Sequence, residues 1–517
     1  MSHPNHPSHG LCCGGHAIPV SRREFMIGMS TVVATGALAL GQEKPPRETP
    51  SARPKPDILP AAELVIQPVL TYDVPQRQAK TSWRSWGGVQ TPEKAAAEAG
   101  RIEKELRELI ASSGLTVKLL PIAPVVNAEQ AAKLKQQPCD AMLVYAAGGW
   151  QDVLETLITP GRPTIYFLRH DPGPVYLWYE ILHPRFLRKT TDRHVQPGVT
   201  VDDVVVDDYA ELAWRLRALL GLRRTLGQRI LAIGGAGGWG VEGEKLAPQW
   251  SRDKWHLDII DVPYPDLGRR IESTRKDEAA VADARRAAEQ YLGQPGVKLQ
   301  TDKKYVENAF LLTRVFTDLL REHDARALTI QNCMGTIMPM ADTTACLPLS
   351  LLNDGGYLAF CESDFVVIPS GILMHHITGR PVFLNDPTWP HDGIVTIAHC
   401  TAPRKMDGQK HEPATILTHF ESDFGAAPKV EFRLGQVTTN VVPDFACQKW
   451  LGFKGTVKAN PFLDICRSQT DIAIDGDWRR LLADMRGFHW MTVYGDCRRE
   501  VGYAIRQLGV EWEDLSA

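Results

Sequence analysis

Several absences narrow the chemistry of this 517-residue chain before any motif is considered. It has no basic tract and no acidic tail, and its formal net charge is only -3, so no nucleic-acid surface or polyanionic arm is indicated. Ten cysteines are present, yet only Cys12 and Cys13 are close in sequence; the others stand at 139, 333, 346, 361, 400, 447, 466 and 497. No C-x-x-C or zinc-ribbon spacing occurs, and the eight later cysteines sit mostly in apolar contexts. They read as buried free thiols rather than a disulfide framework. No internal repeat of fixed short period is found. The apolar stretch from Phe25 to Leu40 contains glycines, is too short to span a bilayer comfortably, and runs into a polar, Pro-rich segment.

What is present is ordinary in bulk. Hydrophobic residues make up 44% and charged residues 23%, as in a soluble globular protein of two or three domains. The 13 tryptophans read mainly as packing residues, with sugar stacking as the alternative. Arg22 and Arg23 precede the apolar stretch, and "ALA" at 37–39 has the small residues of a cleavage site. The pattern Ser-Arg-Arg-x-Phe resembles a twin-arginine export signal, with an uncleaved anchor as the alternative. Export of a folded chain to the periplasm is the expectation, with no stable membrane association once the signal is removed. The leader "HPNHPSHGLCCGGH" could chelate a metal but precedes the signal.

After a Pro-rich linker ending near residue 60, strands and helices alternate. "ELVIQPVLTY", "TVKLLPI", "AMLVYAA" and "PTIYFL" are buried-strand candidates. "TPEKAAAEAGRIEKELRELIASSG" reads as a helix with Thr91 as N-cap and Gly114 at its C-terminus. This alternation predicts parallel sheets with helices on both faces. The fold class is therefore α/β: two Rossmann-like α/β domains at 61–225 and 226–340, then a C-terminal α+β, β-rich domain at 341–517 that carries the active site. "QRILAIGGAGGWG" fits a G-x-G-x-x-G pattern only loosely, so it reads as a tight turn rather than a dinucleotide loop.

"LAFCESDFVVIPSGILMHHITGRPVFLNDP", residues 358–387, holds two apolar strands that end on Glu362 and Asp386. Read as one βαβ unit, it places the strands side by side with both carboxylates at one sheet edge, where ligands of open α/β sheets bind. Two carboxylates that close repel unless a proton or an oxygen-loving cation such as Mn²⁺ or Mg²⁺ separates them. The structural alternative is that both acids cap the following helix or turn. His375 and His376, on the intervening helix, read as packing or surface residues.

"CESD", the step to "NDP", the preceding "CLPLSLLNDGG" and the closing "HWMTVYGD" together resemble the C-terminal region of the L-fucose isomerase family, with L-arabinose isomerase a more distant relative. The likeness is at the level of motifs and is strongest over residues 340–500. It implies that Glu362, Asp386 and His489 ligate Mn²⁺, with Mg²⁺ or Co²⁺ as alternatives, and that the two acids also move protons. His399 and His419 are the alternatives to His489. The implied activity is aldose–ketose isomerisation of a small sugar in a homo-oligomer, trimer or hexamer. Trp83, Arg84 and Trp86 are candidate sugar-covering residues, with a surface or packing role as the alternative. The chain departs from the family in its export signal and shorter length. A metal-independent glycoside hydrolase using Glu362 and Asp386, or a non-catalytic sugar-binding protein of the same fold, are the competing readings.

Overall fold

A computed structural model describes residues 62–170, 176 and 181–516, all within one unit. Arg22, Arg23 and the apolar stretch of the export signal lie outside these residues. Among the described residues, no helix is long and apolar enough to cross a membrane.

The first sheet is parallel and built from β1 (Leu64–Thr71), β2 (Val117–Leu119), β3 (Ala123–Val125), β4 (Ala141–Ala146), β5 (Thr164–Leu168) and β6 (Val204–Val206). Its order is β2-β1-β4-β5-β6, with β3 also on β1. Its central strand β4 is buried at every position, as a strand covered on both faces must be. The helix Pro92–Ser113 has the ends expected of it. The Thr91 hydroxyl accepts from Lys94 N at 3.2 Å, and Gly114 takes a left-handed φ of 66°.

Five strands follow: β7 (Arg229–Ile233), β8 (Asp258–Val262), β9 (Val297–Leu299), β10 (Ala327–Ile330) and β11 (Leu358–Cys361). Four of them make a second parallel sheet in the order β11-β10-β7-β8. The remaining strands are β12 (Phe383–Pro387), β13 (Ile394–His399), β14 (Ala414–Leu417), β15 (Ala427–Val430), β16 (Val437–Pro443), β17 (Lys449–Ala459), β18 (Ser468–Asp475), β19 (Trp490–Tyr494) and β20 (Glu511–Asp514). Six of them, β16-β19-β12-β13-β18-β17, pair antiparallel, and β16 pairs with β17 again to close a barrel. β20 adds parallel to β17, and β9, β14 and β15 form a separate small sheet.

The mixed α/β architecture and the β-rich C-terminal part agree with the sequence. The βαβ unit does not. β11 pairs with β10 in the second parallel sheet, whereas β12 belongs to the barrel between β13 and β19. The reason is loop length. Only a short connection separates β12 from β13, so antiparallel closure with the sequence neighbour costs little chain entropy. The helix Ile368–Thr378 bridges the two sheets instead and is buried along almost all of its length. It can approach closely because position 371 is glycine: a Cβ there would meet Met491 of β19 at 2.6 Å and Phe360 of β11 at 2.8 Å.

Candidate metal centre

Glu362 follows β11 at the carboxyl edge of the second sheet and meets the end of the barrel there. The backbone turns sharply: Glu362 and Ser363 both adopt left-handed φ values, 62° and 46°. For side chains other than glycine this costs about 1–2 kcal/mol per residue, and such strain collects at functional sites. The glycine-rich segment after β7 holds the turn. Gly237 N donates to Ser363 O at 3.3 Å, Phe365 N donates to Gly237 O at 3.1 Å, and Ser363 N donates to the Thr329 hydroxyl at 3.1 Å. Glu362 is not the cap of the following helix: the helix begins only at Ile368, and the N–H group of Val366 before it is taken by Asp364.

Asp386, on β12, and His489, immediately before β19, arrive from the barrel. His489 Nε2 lies 3.3 Å from Asp386 Oδ1 and 3.5 Å from Glu362 Oε2. His399, the last residue of β13, brings its Nε2 within 3.8 Å of Glu362 Oε1, and its ring centroid is 5.9 Å from that of His489. His399 thus joins His489 rather than replacing it. His419 is not at this centre; it groups with Cys346 and Cys400. Trp83, Arg84 and Trp86 lie on the segment after β1, where the Arg84 guanidinium sits 4.9 Å above the Trp83 ring. The side chains that meet at Glu362 come from other elements.

Asp364 is the member that the sequence reading missed. It is fully buried, and its Oδ2 accepts from His489 Nδ1 at 2.8 Å. Its other oxygen accepts from Trp239 N at 3.2 Å and Val366 N at 3.0 Å. This arrangement fixes the proton on Nδ1 and aims the Nε2 lone pair at Glu362 and Asp386, as a carboxylate behind a metal-ligating histidine does. The acid two residues after Glu362 in "CESD" was the available signal, but spacing alone does not say which histidine it supports.

The donor set fits a cation. Asp386 Oδ1, His399 Nε2 and His489 Nε2 are buried polar atoms without a hydrogen-bond partner, although they converge, and Asp386, His399 and His489 offer ligand atoms within 4.8 Å of one another. Burial pushes the Asp386 carboxyl up to about 6, against the pull of His489 and His399. Burial would also raise Glu362, but the close approach of the His399 and His489 rings outweighs that and holds it well below the usual carboxylate range. Burial disfavours charge on His489 and His399, yet the surrounding carboxylates raise both above an ordinary histidine. A dication at this centre would offset the same carboxylate charge. The Cys361 thiol borders this centre and lies 3.7 Å from the sulfur of Cys333.

No family model matches this chain, and no curated protein matches it.

Proposed function

We propose that the chain is a metal-dependent isomerase that interconverts an aldose and a ketose, of the L-fucose isomerase type. The observation that carries this reading is the meeting of Glu362, Asp386 and His489 at the junction of a parallel sheet and the barrel, with Asp386 Oδ1 and His489 Nε2 lacking a hydrogen-bond partner. The two parallel sheets are read as Rossmann-like domains that support it. Glu362, Asp386 and His489 would hold Mn²⁺, or Mg²⁺ or Co²⁺, with His399 beside them. The cation supplies Lewis acidity toward the oxygens on carbons 1 and 2 of the open-chain sugar. One of the two acids takes the proton from carbon 2 and returns it to carbon 1. The other transfers the hydroxyl proton from the carbon-2 oxygen to the carbon-1 oxygen. His489, fixed by Asp364, takes no proton in this scheme. The reading includes export by the twin-arginine route to the periplasm and assembly as a homo-oligomer.

The test is metal analysis of the purified protein with a screen of aldoses for ketose formation. We expect about one ion per chain at this centre, lost in Glu362→Gln, Asp386→Asn and His489→Ala. General acid–base catalysis contributes roughly 10² to 10⁴-fold. At saturating Mn²⁺ both acid variants are therefore expected to remain at least ~100-fold impaired, while His489→Ala recovers substantially. Full rescue of both acid variants by metal would reduce them to ligands. Glycoside hydrolysis by metal-free protein would overturn the isomerase reading.

A further inference from the structure

Three cysteines and a histidine that are far apart in sequence meet on the barrel's flank. Cys346 opens the helix Cys346–Asp354, Cys400 follows β13, His419 lies just beyond β14, and Cys466 precedes β18. All four are buried, with relative exposures of 5%, 2%, 5% and 8% in that order. Cys346, Cys400 and His419 offer ligand atoms that all lie within 4.8 Å of one another. Cys400 also contacts Cys466, and the three sulfurs share an apolar pocket with Ala398 and Ala427.

We propose that Cys346, Cys400, Cys466 and His419 form a second metal site, a closed structural centre for Zn²⁺. Three thiolates and an imidazole are a donor set that zinc takes tetrahedrally, with Zn–S near 2.3 Å and hence donors about 3.8 Å apart. Cys346, Cys400 and His419 need to contract only modestly to reach that spacing, and Cys466, in contact with Cys400, would close in as the fourth donor. Soft sulfur donors separate this site from the oxygen-rich centre at Glu362, which suits harder cations. The surroundings favour thiolate. Arg467 N donates to Cys400 Sγ at 3.4 Å, and the Arg467 guanidinium is held nearby by Thr418 O at 2.7 Å and over the Phe420 ring at 5.3 Å. His419 Nδ1 has the Ser422 hydroxyl at 3.4 Å, which leaves Nε2 for the metal. Binding would release three thiol protons to solvent and join four segments that no disulfide connects. One of those segments is the end of β13, so the site would also anchor the strand that presents His399 to the first centre. Buried cysteines packed only as small apolar groups would not require a histidine in their midst.

The test uses the full chain carrying Cys12→Ser and Cys13→Ser, so that leader thiols do not contribute. After chelation under reducing conditions, Co²⁺ is added to this protein and to the same protein with Glu362→Gln and His489→Ala. We expect one equivalent to produce a thiolate-to-cobalt charge-transfer band and the strong visible absorption of a tetrahedral site in both. Zn²⁺ should displace it, and Cys400→Ser should abolish it. Should Cys400→Ser fail to fold, His419→Cys is expected to keep the site with a shifted band. Alkylation of unsubstituted protein, mapped by mass spectrometry, should show Cys346, Cys400 and Cys466 protected until zinc is removed. Absence of a thiolate band, its persistence in Cys400→Ser, or a disulfide linking Cys346 to Cys400 would overturn the site.

Discussion

The strongest single-residue relationship at the candidate centre is that between Asp364 and His489. Both are fully buried, and the bond between them decides which ring nitrogen is available to a ligand. Asp364→Asn keeps the size of the side chain but weakens the charge that orients the ring. Loss of such a supporting carboxylate typically costs ~10- to 100-fold in metal affinity. We expect that loss by competition with a fluorescent chelator, with circular dichroism unchanged. We also expect excess Mn²⁺ to restore most of the turnover, in contrast to Glu362→Gln and Asp386→Asn. Failure of metal to rescue Asp364→Asn would give Asp364 a role in proton movement.

At the scale of elements, the glycine-rich turn after β7 and the Glu362–Asp364 turn after β11 are two halves of one support. The first donates and accepts backbone hydrogen bonds along the second, and Trp239 at its end stacks on Phe488 with ring centroids 4.1 Å apart. Its glycines serve close backbone packing: a Cβ at Gly238 would lie 2.5 Å from Gly243 O and 2.8 Å from Gly243 C. Backbone cannot move aside as a flexible side chain can. Gly238→Ala is therefore expected to cost ~1–3 kcal/mol, the usual range for overpacking, measured by urea unfolding. Metal affinity should fall with it, because the displaced segment carries the N–H groups at Gly237 and Trp239. A stable variant with unchanged affinity would show that the two turns are not coupled.

For the whole molecule, two features respond to conditions. Asp354, at the end of the helix Cys346–Asp354, is half-buried as a residue but has its carboxyl almost wholly covered, with Oδ1 accepting from Lys405 N at 2.8 Å and Oδ2 without a hydrogen-bond partner. Burial raises its carboxyl to about 7 from an ordinary 3.8, despite nearby Arg404 and Lys405. The folded state thus holds this proton more tightly than the unfolded chain. The stabilisation is complete below about pH 4 and is lost as pH rises through about 7, with an upper bound of roughly 4 kcal/mol at 1.36 kcal/mol per unit. His411, 3.9 Å away and lowered to about 4 chiefly by burial, acts in the opposite direction as pH falls. Asp354→Asn keeps an oxygen for Lys405 N and removes the titration. Its stability relative to the parent should rise between pH 4 and pH 8 in urea unfolding; a constant difference would remove Asp354 as the cause. The second is the proposed export. Replacing Arg22 and Arg23 with lysine is expected to leave the protein in the cytoplasmic fraction, and unchanged fractionation would end that proposal.

The sequence by itself determined the local features. Alternating buried strands and amphipathic helices announced parallel sheets, and Thr91 and Gly114 marked the ends of their helix, because propensity and capping act over a few residues. "CESD" and "NDP" marked the two acids, and the resemblance to the L-fucose isomerase family, together with a strand-opening position, suggested His489. Partner choice was decided by the tertiary structure. β17 and β18 carry no strong sequence signal, so barrel closure was not legible, and β12 was assigned to β11 rather than to β13 and β19. The carboxylates still meet, because the barrel end abuts the edge of the parallel sheet instead of extending it. Asp364 behind His489, His399 beside it, and the grouping of Cys346, Cys400, Cys466 and His419 all depend on contacts between distant segments. Side-chain spacing along a strand or helix cannot encode such contacts; they exist only once the sheets have closed on one another.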